Sequence, residues 1–189
     1  MSQLKIDGLG EEERTLINPS ETPVTWARTF SFALEGVLRT FVHERNMKIH
    51  LAAAYAVLLF CLVTRPVLGL VALSGTVCFL VLAAEVFNTA VEALTDLVTG
   101  SQPAPLAKAA KDAAAGSVLL TALAAVCVGI WVVLSSYPWK FRLFSSLHPA
   151  ATILDAVILC AITLLWALSY RYLPDAGDEW SKGRRRRPD

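Results

Sequence analysis

AAEVFNTAVEALTDLVTG, Ala83 to Gly100, is the stretch on which the reading of this chain turns. It continues an apolar run that begins at Val67, and it places Glu85, Asn88, Thr89, Glu92 and Asp96 at the end of that run. At about 100° per residue on a helix, Glu85, Glu92 and Asp96 fall within roughly 40° of one another, with Asn88 and Thr89 beside them. One stripe therefore carries three carboxylates and an amide where a membrane-length segment ends. Ionised groups at membrane depth are costly, so their presence there points to function.

The composition around this stretch agrees with a membrane setting. The chain has 189 residues, of which 55% are hydrophobic and only 17% charged, and the apolar residues are gathered into runs. That pattern places it in the membrane class as one domain. The net charge of +1 provides no overall basic field, so no nucleic-acid partner is expected. Cys61, Cys78, Cys127 and Cys160 all lie inside apolar runs, with no CxxC and no Cys/His cluster. They read as small buried hydrophobes rather than as a zinc site or a disulfide framework.

Taken in order, the segments predict an all-α fold: an integral-membrane helical bundle with an N-terminal amphipathic surface helix, three core transmembrane helices and an additional C-terminal fourth. Residues 1–23 are polar and acidic, and read as a disordered cytoplasmic arm with no cleavable signal peptide. Over residues 24–42, Trp26, Phe30, Leu34, Val37, Leu38 and Phe41 recur at helical spacing, opposite Arg28, Ser31, Glu35 and Arg39. Such a helix suits the membrane interface. Spans are expected at about 49–64, 67–91 and 107–135, with Thr64-Arg65-Pro66 and Thr99 to Pro105 as breaks. The expected domain is 24–138. Residues 139–173 form a connector and a fourth span, and 174–189 form a basic cytoplasmic tail ending in Arg184 to Arg187. With four alternating spans, Arg65, Lys140 and Arg142 fall on one side and the remaining lysines and arginines on the other, which the positive-inside rule makes cytoplasmic.

Three polar clusters then meet at the cytoplasmic boundary: Glu44 before the first span, the Glu85-to-Asp96 stripe after the second, and Lys108, Lys111 and Asp112 before the third. Carboxylate oxygens suit Mg²⁺, which completes its shell with water and phosphate. Lysines complement phosphate charge. A carboxylate set deeper, with less water, is placed to take a proton from a hydroxyl. These are the parts of a phosphoryl-transfer site. No GxxxxGK[ST] and no HRD or DFG set is present, so such a site would be unrelated to those of soluble kinases.

HERN (His43–Asn46), EVFNTAVEALTDL (Glu85–Leu97) and PLAKAAKDAAAG (Pro105–Gly116), in this order and spacing, resemble the prokaryotic diacylglycerol kinase/undecaprenol kinase family over about Phe30 to Pro138. The resemblance implies a small integral-membrane enzyme of the inner (cytoplasmic) membrane. It would phosphorylate a lipid hydroxyl with ATP and Mg²⁺ and form a homotrimer with shared active sites. It implies Glu85 as the general base, Glu44 and Glu92 as metal ligands, and Asn88, Asp96, Lys111 and Asp112 as residues of the ATP site. Arg28 and Phe32 match the surface helix where the family binds nucleotide, and Arg28, with Glu85, the lipid. The forms Asn-Thr-Ala-Val-Glu and Pro-Leu-Ala-Lys are more similar to the undecaprenol kinase branch than to the diacylglycerol kinase branch. Two features depart from the family pattern: Arg65-Pro66 where Glu-Trp is expected, and the whole of residues 139–189, which add a fourth span. Two other classes of function stay open on the residues alone, an ion-conducting oligomer and a non-catalytic membrane scaffold. A conducting path calls for acidic groups spread through the bilayer depth, whereas here they gather at one boundary.

Overall fold

The computed structural model describes residues 26–142 and 146–172. The expected arm, 1–23, and basic tail, 174–189, lie outside the described residues. Within them the chain forms five helices and no strand: α1 (Trp26–His43), α2 (Arg45–Thr64), α3 (Leu68–Thr99), α4 (Pro105–Ser135) and α5 (Pro149–Tyr172). The chain divides into two units, one ending at Glu35 and the other beginning at Gly36. In the first, Trp26, Phe30 and Phe32 are exposed, and the Arg28 guanidinium lies 5.7 Å from the centroid of the Phe32 ring.

Four helices, α2 to α5, are long and apolar enough to cross a membrane. The breaks between them follow the local chemistry. Arg65 ends α2 in the left-handed conformation (φ 51°), its N–H donating to the Cys61 carbonyl, and Pro66 stops the ladder. Gly100 ends α3 at φ 57°, a conformation that glycine adopts without steric cost, and Pro105 opens α4, where its missing N–H is not needed. The second span is longer than expected. It runs on as one helix through the acidic stripe to Thr99, 32 residues or about 48 Å, against roughly 30 Å of hydrocarbon. The stripe thus sits on a continuous rigid helix, with its last turns beyond the apolar layer.

The fourth span packs into the core of the second unit. Ile158, Leu159 and Ile162 of α5 join Phe41, Met47, Leu51, Leu58 and Leu82 in one buried cluster, and Ala151 joins Cys61, Val71 and Val132 in another. The chain returns to α2 on the way: Arg142 N–H donates to the Val63 carbonyl (2.9 Å), and His148 Nδ1 is 2.9 Å from the Arg65 carbonyl. Helices approach closely in a membrane where one of them carries a small residue, and here that residue is Gly75. A Cβ on Gly75 would stand 2.5 Å from Ile158 Cδ1. Gly75→Ala is therefore expected to destabilise the detergent-solubilised protein by about 1–3 kcal/mol. Adding Ile158→Val, which deletes the offending methyl, should recover part of that loss in a thermal-melt double-mutant cycle. Strict additivity of the two changes would show that α5 does not seat on Gly75.

The small-residue run Ala113 to Gly116 reads from sequence as a close-packing surface. Within the chain only Ala114 of this run is buried, and a Cβ on Gly116 would meet nothing within 4 Å. The close contact expected at Gly116 is not made inside one chain.

Candidate active site

Glu85 lies seventeen residues into α3 from Leu68, after an apolar stretch of roughly 25 Å. It is 1% exposed, and its Oε2 has no hydrogen-bond partner among the described residues. A buried carboxylate oxygen without a partner is costly to folding. Two further carboxylates, Glu44 and Glu92, stand close enough for their charges to bear on it. Glu44 reaches this place because it is the break between two helices: it has extended backbone (φ −87°, ψ 125°) ahead of α2, and its N–H donates to the Thr40 carbonyl.

One turn beyond Glu85, Asn88 is 7% exposed and donates from Nδ2 to Glu92 Oε1 at 2.8 Å, while its own Oδ1 is buried without a partner. Thr89 Oγ1 donates to the Glu85 carbonyl and so turns back on the helix (3.0 Å). At the end of the stripe the α3–α4 hairpin brings Lys111 to Asp96, Nζ to Oδ1 at 2.6 Å. Both side chains are about a third or more exposed, so the pair joins the helices without contributing much stability. Asp112 instead faces Lys108 across one turn of α4 at 3.1 Å, both well exposed.

The structure therefore gathers Glu44, Glu85, Asn88 and Glu92, with Asp96 and Lys111 one turn further out, and leaves Asp112 on the surface. Arg28 and Phe32 belong to the first unit. Beside the stripe, a cavity of about 210 Å³ opens within the second unit, between the end of α1 and α3, lined among others by Gly36, Arg39, Thr40, His43 and Thr89. Arg39 and His43 read from sequence as interfacial groups. Their place on this cavity depends on how the end of α1, from Gly36 on, meets α3, which their own spacing does not reveal.

Among the described residues no group of three or more His, Cys, Asp or Glu forms a metal cage. Mg²⁺ does not need one, since it takes one or two carboxylates and keeps water and phosphate for the rest. Two carboxylates flanking Glu85, with the unpartnered Asn88 oxygen beside them, fit that donor set.

A further buried carboxylate escaped the sequence reading. Asp155 of α5 is 1% exposed, both its oxygens lack partners, and its charge bears on Cys61 and Cys78. The available signal was a lone aspartate inside an apolar span. It lies near the Arg65 end of the bundle, about 9 Å into α5 and away from the acidic stripe. Asp155→Val removes two unsatisfied oxygens at similar volume, and should raise thermal stability by about 1–3 kcal/mol. A fall in melting temperature instead would show that the carboxyl is bonded in the membrane.

The chain's similarities fit this arrangement. A profile of the family described as Prokaryotic diacylglycerol kinase matches residues 31–133, a stretch that ends before α5. Over 102 residues the chain is 42% identical to a protein of Synechocystis sp. named diacylglycerol kinase, an alignment covering 53% of this chain and 58% of that protein. Over 111 residues it is 37% identical to the undecaprenol kinase of Bacillus subtilis, covering 57% of this chain and 86% of that protein. No solved structure matches the chain. With the profile matching more than half of its length, the chain belongs to the prokaryotic diacylglycerol kinase family, a family of lipid kinases.

Proposed function

We propose that this protein transfers the γ-phosphoryl group of ATP to the hydroxyl of a membrane lipid alcohol, with Glu85 as the base. The observation that carries this reading is a buried carboxylate with a free oxygen at the inner limit of an apolar span, next to two more carboxylates. The lipid oxygen attacks the γ-phosphorus, the bond from that phosphorus to the bridging oxygen breaks, and ADP leaves. The hydroxyl proton passes to Glu85 Oε2.

Glu44 and Glu92 would hold Mg²⁺, which when bound neutralises charge on the phosphates. Asn88 orients Glu92 through its 2.8 Å hydrogen bond. Lys111, held by Asp96, supplies positive charge at the mouth of the site. Asp112, Arg28 and Phe32 complete the nucleotide contacts in this reading, with Arg28 also meeting the lipid headgroup. The active end and both termini face the cytoplasm, by the distribution of Lys and Arg across the spans. The working form is a homotrimer in the cytoplasmic membrane. The exposed apolar face of α4, including Leu119, Leu123, Val126 and Ile130, is available for lipid or for neighbouring copies.

Undecaprenol is favoured over diacylglycerol, on the Asn-Thr-Ala-Val-Glu form. The test is the full chain in mixed micelles with labelled ATP, Mg²⁺ and each lipid in turn. Label should appear in lipid phosphate, faster with undecaprenol. If neither lipid is labelled, and Glu85→Gln leaves any ATP turnover unchanged, the reading fails. A faster rate on diacylglycerol would reverse the substrate assignment.

A further inference from the structure

Arg65, Lys140 and Arg142 are the lysines and arginines that four alternating spans leave at the end of the bundle away from the acidic stripe. They are not scattered there. All three line one cavity of about 330 Å³, a ligand-sized volume bounded by the end of α2, the start of α3, the end of α4 and the connector to α5. Glu85 lies about 25 Å further along α3, so this cavity is no part of the carboxylate site. Lys140 and Arg142 also lie beyond residues 31–133, the stretch that the family profile matches.

The ordinary duty of a cation at a helix C-terminus is to meet the last carbonyls. Here those carbonyls already have donors. On α2 the Cys61, Val63 and Arg65 carbonyls accept from backbone N–H groups and from His148 Nδ1. On α4 those of Val132, Val133 and Leu134 accept from backbone N–H groups and from the Trp139 indole. Lys140 and Arg142 form no ion pair among the described residues, and no Asp or Glu lines the cavity. Asp155 is buried about 9 Å into α5, outside the lining. Like charges gathered at one concave site repel one another, and an anion placed among them reverses the sign of that energy.

The flank of the cavity sets its depth. Tyr137, Trp139 and Phe141 are all exposed, and the rings of Tyr137 and Trp139 meet edge to face at 5.9 Å. Exposed aromatics at the ends of apolar spans sit at the level of the lipid headgroups. We propose that this cavity binds a phosphate group, that of an anionic phospholipid in the membrane surface opposite the acidic stripe. Arg65 and Arg142 offer planar forks to the phosphate oxygens, and Lys140 a point charge. The bonds to the Val63 and Arg65 carbonyls hold the connector on the end of α2, so the charges of both are brought together before the lipid arrives. The bound headgroup thereby fastens α2 to the segment that leads into the fourth span.

The full chain is purified in a non-ionic detergent and titrated with phosphatidylglycerol, with phosphatidylcholine of the same acyl chains, and with inorganic phosphate. Bound lipid is counted by native mass spectrometry, and the melting temperature is followed in parallel. Phosphatidylglycerol should bind more tightly than phosphatidylcholine, whose phosphate carries its own ammonium, and should raise the melting temperature. Lys140→Gln and Arg142→Gln, on an exposed and a half-buried side chain, should each weaken phosphatidylglycerol binding about fivefold, and Lys140→Arg should keep it. Ser135→Phe and Val67→Trp fill the cavity from two different walls and leave every charge in place; both positions are exposed, and each change should weaken binding at least as much. Binding that falls with charge but survives both fillings would be diffuse attraction to the surface, and would overturn the site. Equal binding of the two lipids, or binding unmoved by Lys140→Gln and Arg142→Gln, would overturn it too. If inorganic phosphate binds with the same dependence on both cations and phosphatidylglycerol does not, the cavity takes a soluble anion and the phospholipid assignment falls. No readout uses lipid phosphorylation, so the outcome is separate from that of the kinase reading.

Discussion

Glu85→Gln leaves a protein that inserts and folds but transfers phosphate to lipid on the order of 10²–10⁴-fold more slowly, the loss associated with removing a positioned base. At about 1.4 kcal/mol per tenfold, this is roughly 3–5 kcal/mol of barrier. The substitution keeps the side chain's volume and removes its ability to accept a proton. It also removes a charge that is 1% exposed, lacks a partner on Oε2, and sits beside the charges of Glu44 and Glu92. Burying a neutral amide there costs less than burying a third carboxylate, so the melting temperature should rise as activity falls. That opposition is the signature of a functional group held against stability. The two quantities are measured together, by lipid phosphorylation and by thermal denaturation in detergent. If activity and melting temperature fall in step, Glu85 is a structural residue and another group takes the proton.

Glu92→Ala is expected to act on the metal. Glu92 lies seven residues beyond Glu85, about 10 Å further along α3, and accepts the Asn88 hydrogen bond. A carboxylate that helps hold Mg²⁺ supports several kcal/mol of charge stabilisation, so kcat/KM for Mg-ATP should fall on the order of 10²-fold. The Mg²⁺ concentration for half-maximal activity should rise, and saturating Mg²⁺ should restore part of the rate. Glu85→Gln should show no such rescue. An unchanged Mg²⁺ dependence in Glu92→Ala would remove Glu92 from the metal site. The pair of variants thus separates a proton acceptor from a metal ligand on the same helix face.

The acidic stripe was legible in the sequence because helical periodicity is local: spacings of three and four residues place Glu85, Asn88, Glu92 and Asp96 together whatever the rest of the chain does. The breaks were legible for the same reason, since Pro66, Gly100 and Pro105 act on their own backbone. The joining of Asp96 to Lys111 was less so, because it depends on the angle at which the Gly100 turn returns the chain. The place of Arg39 and His43 at the cavity by Thr89 was not legible, because it depends on how the end of α1, from Gly36 on, meets α3.

Periodicity and break residues were thus enough to mark four apolar helical spans, their approximate limits, and one polar stripe at the end of the second. It took the assembled helices to show that α5 enters the core through Gly75 and Ile158, that Asp155 is buried, and that small residues on three helices leave an apolar groove. The reason is the solvent. In water an apolar face must be covered, so composition alone marks it as core. In a bilayer a leucine facing lipid and a leucine facing protein are equally satisfied. Which faces meet is settled by shape, by a missing Cβ or a methyl that fits, and shape belongs to the assembled helices rather than to any one of them.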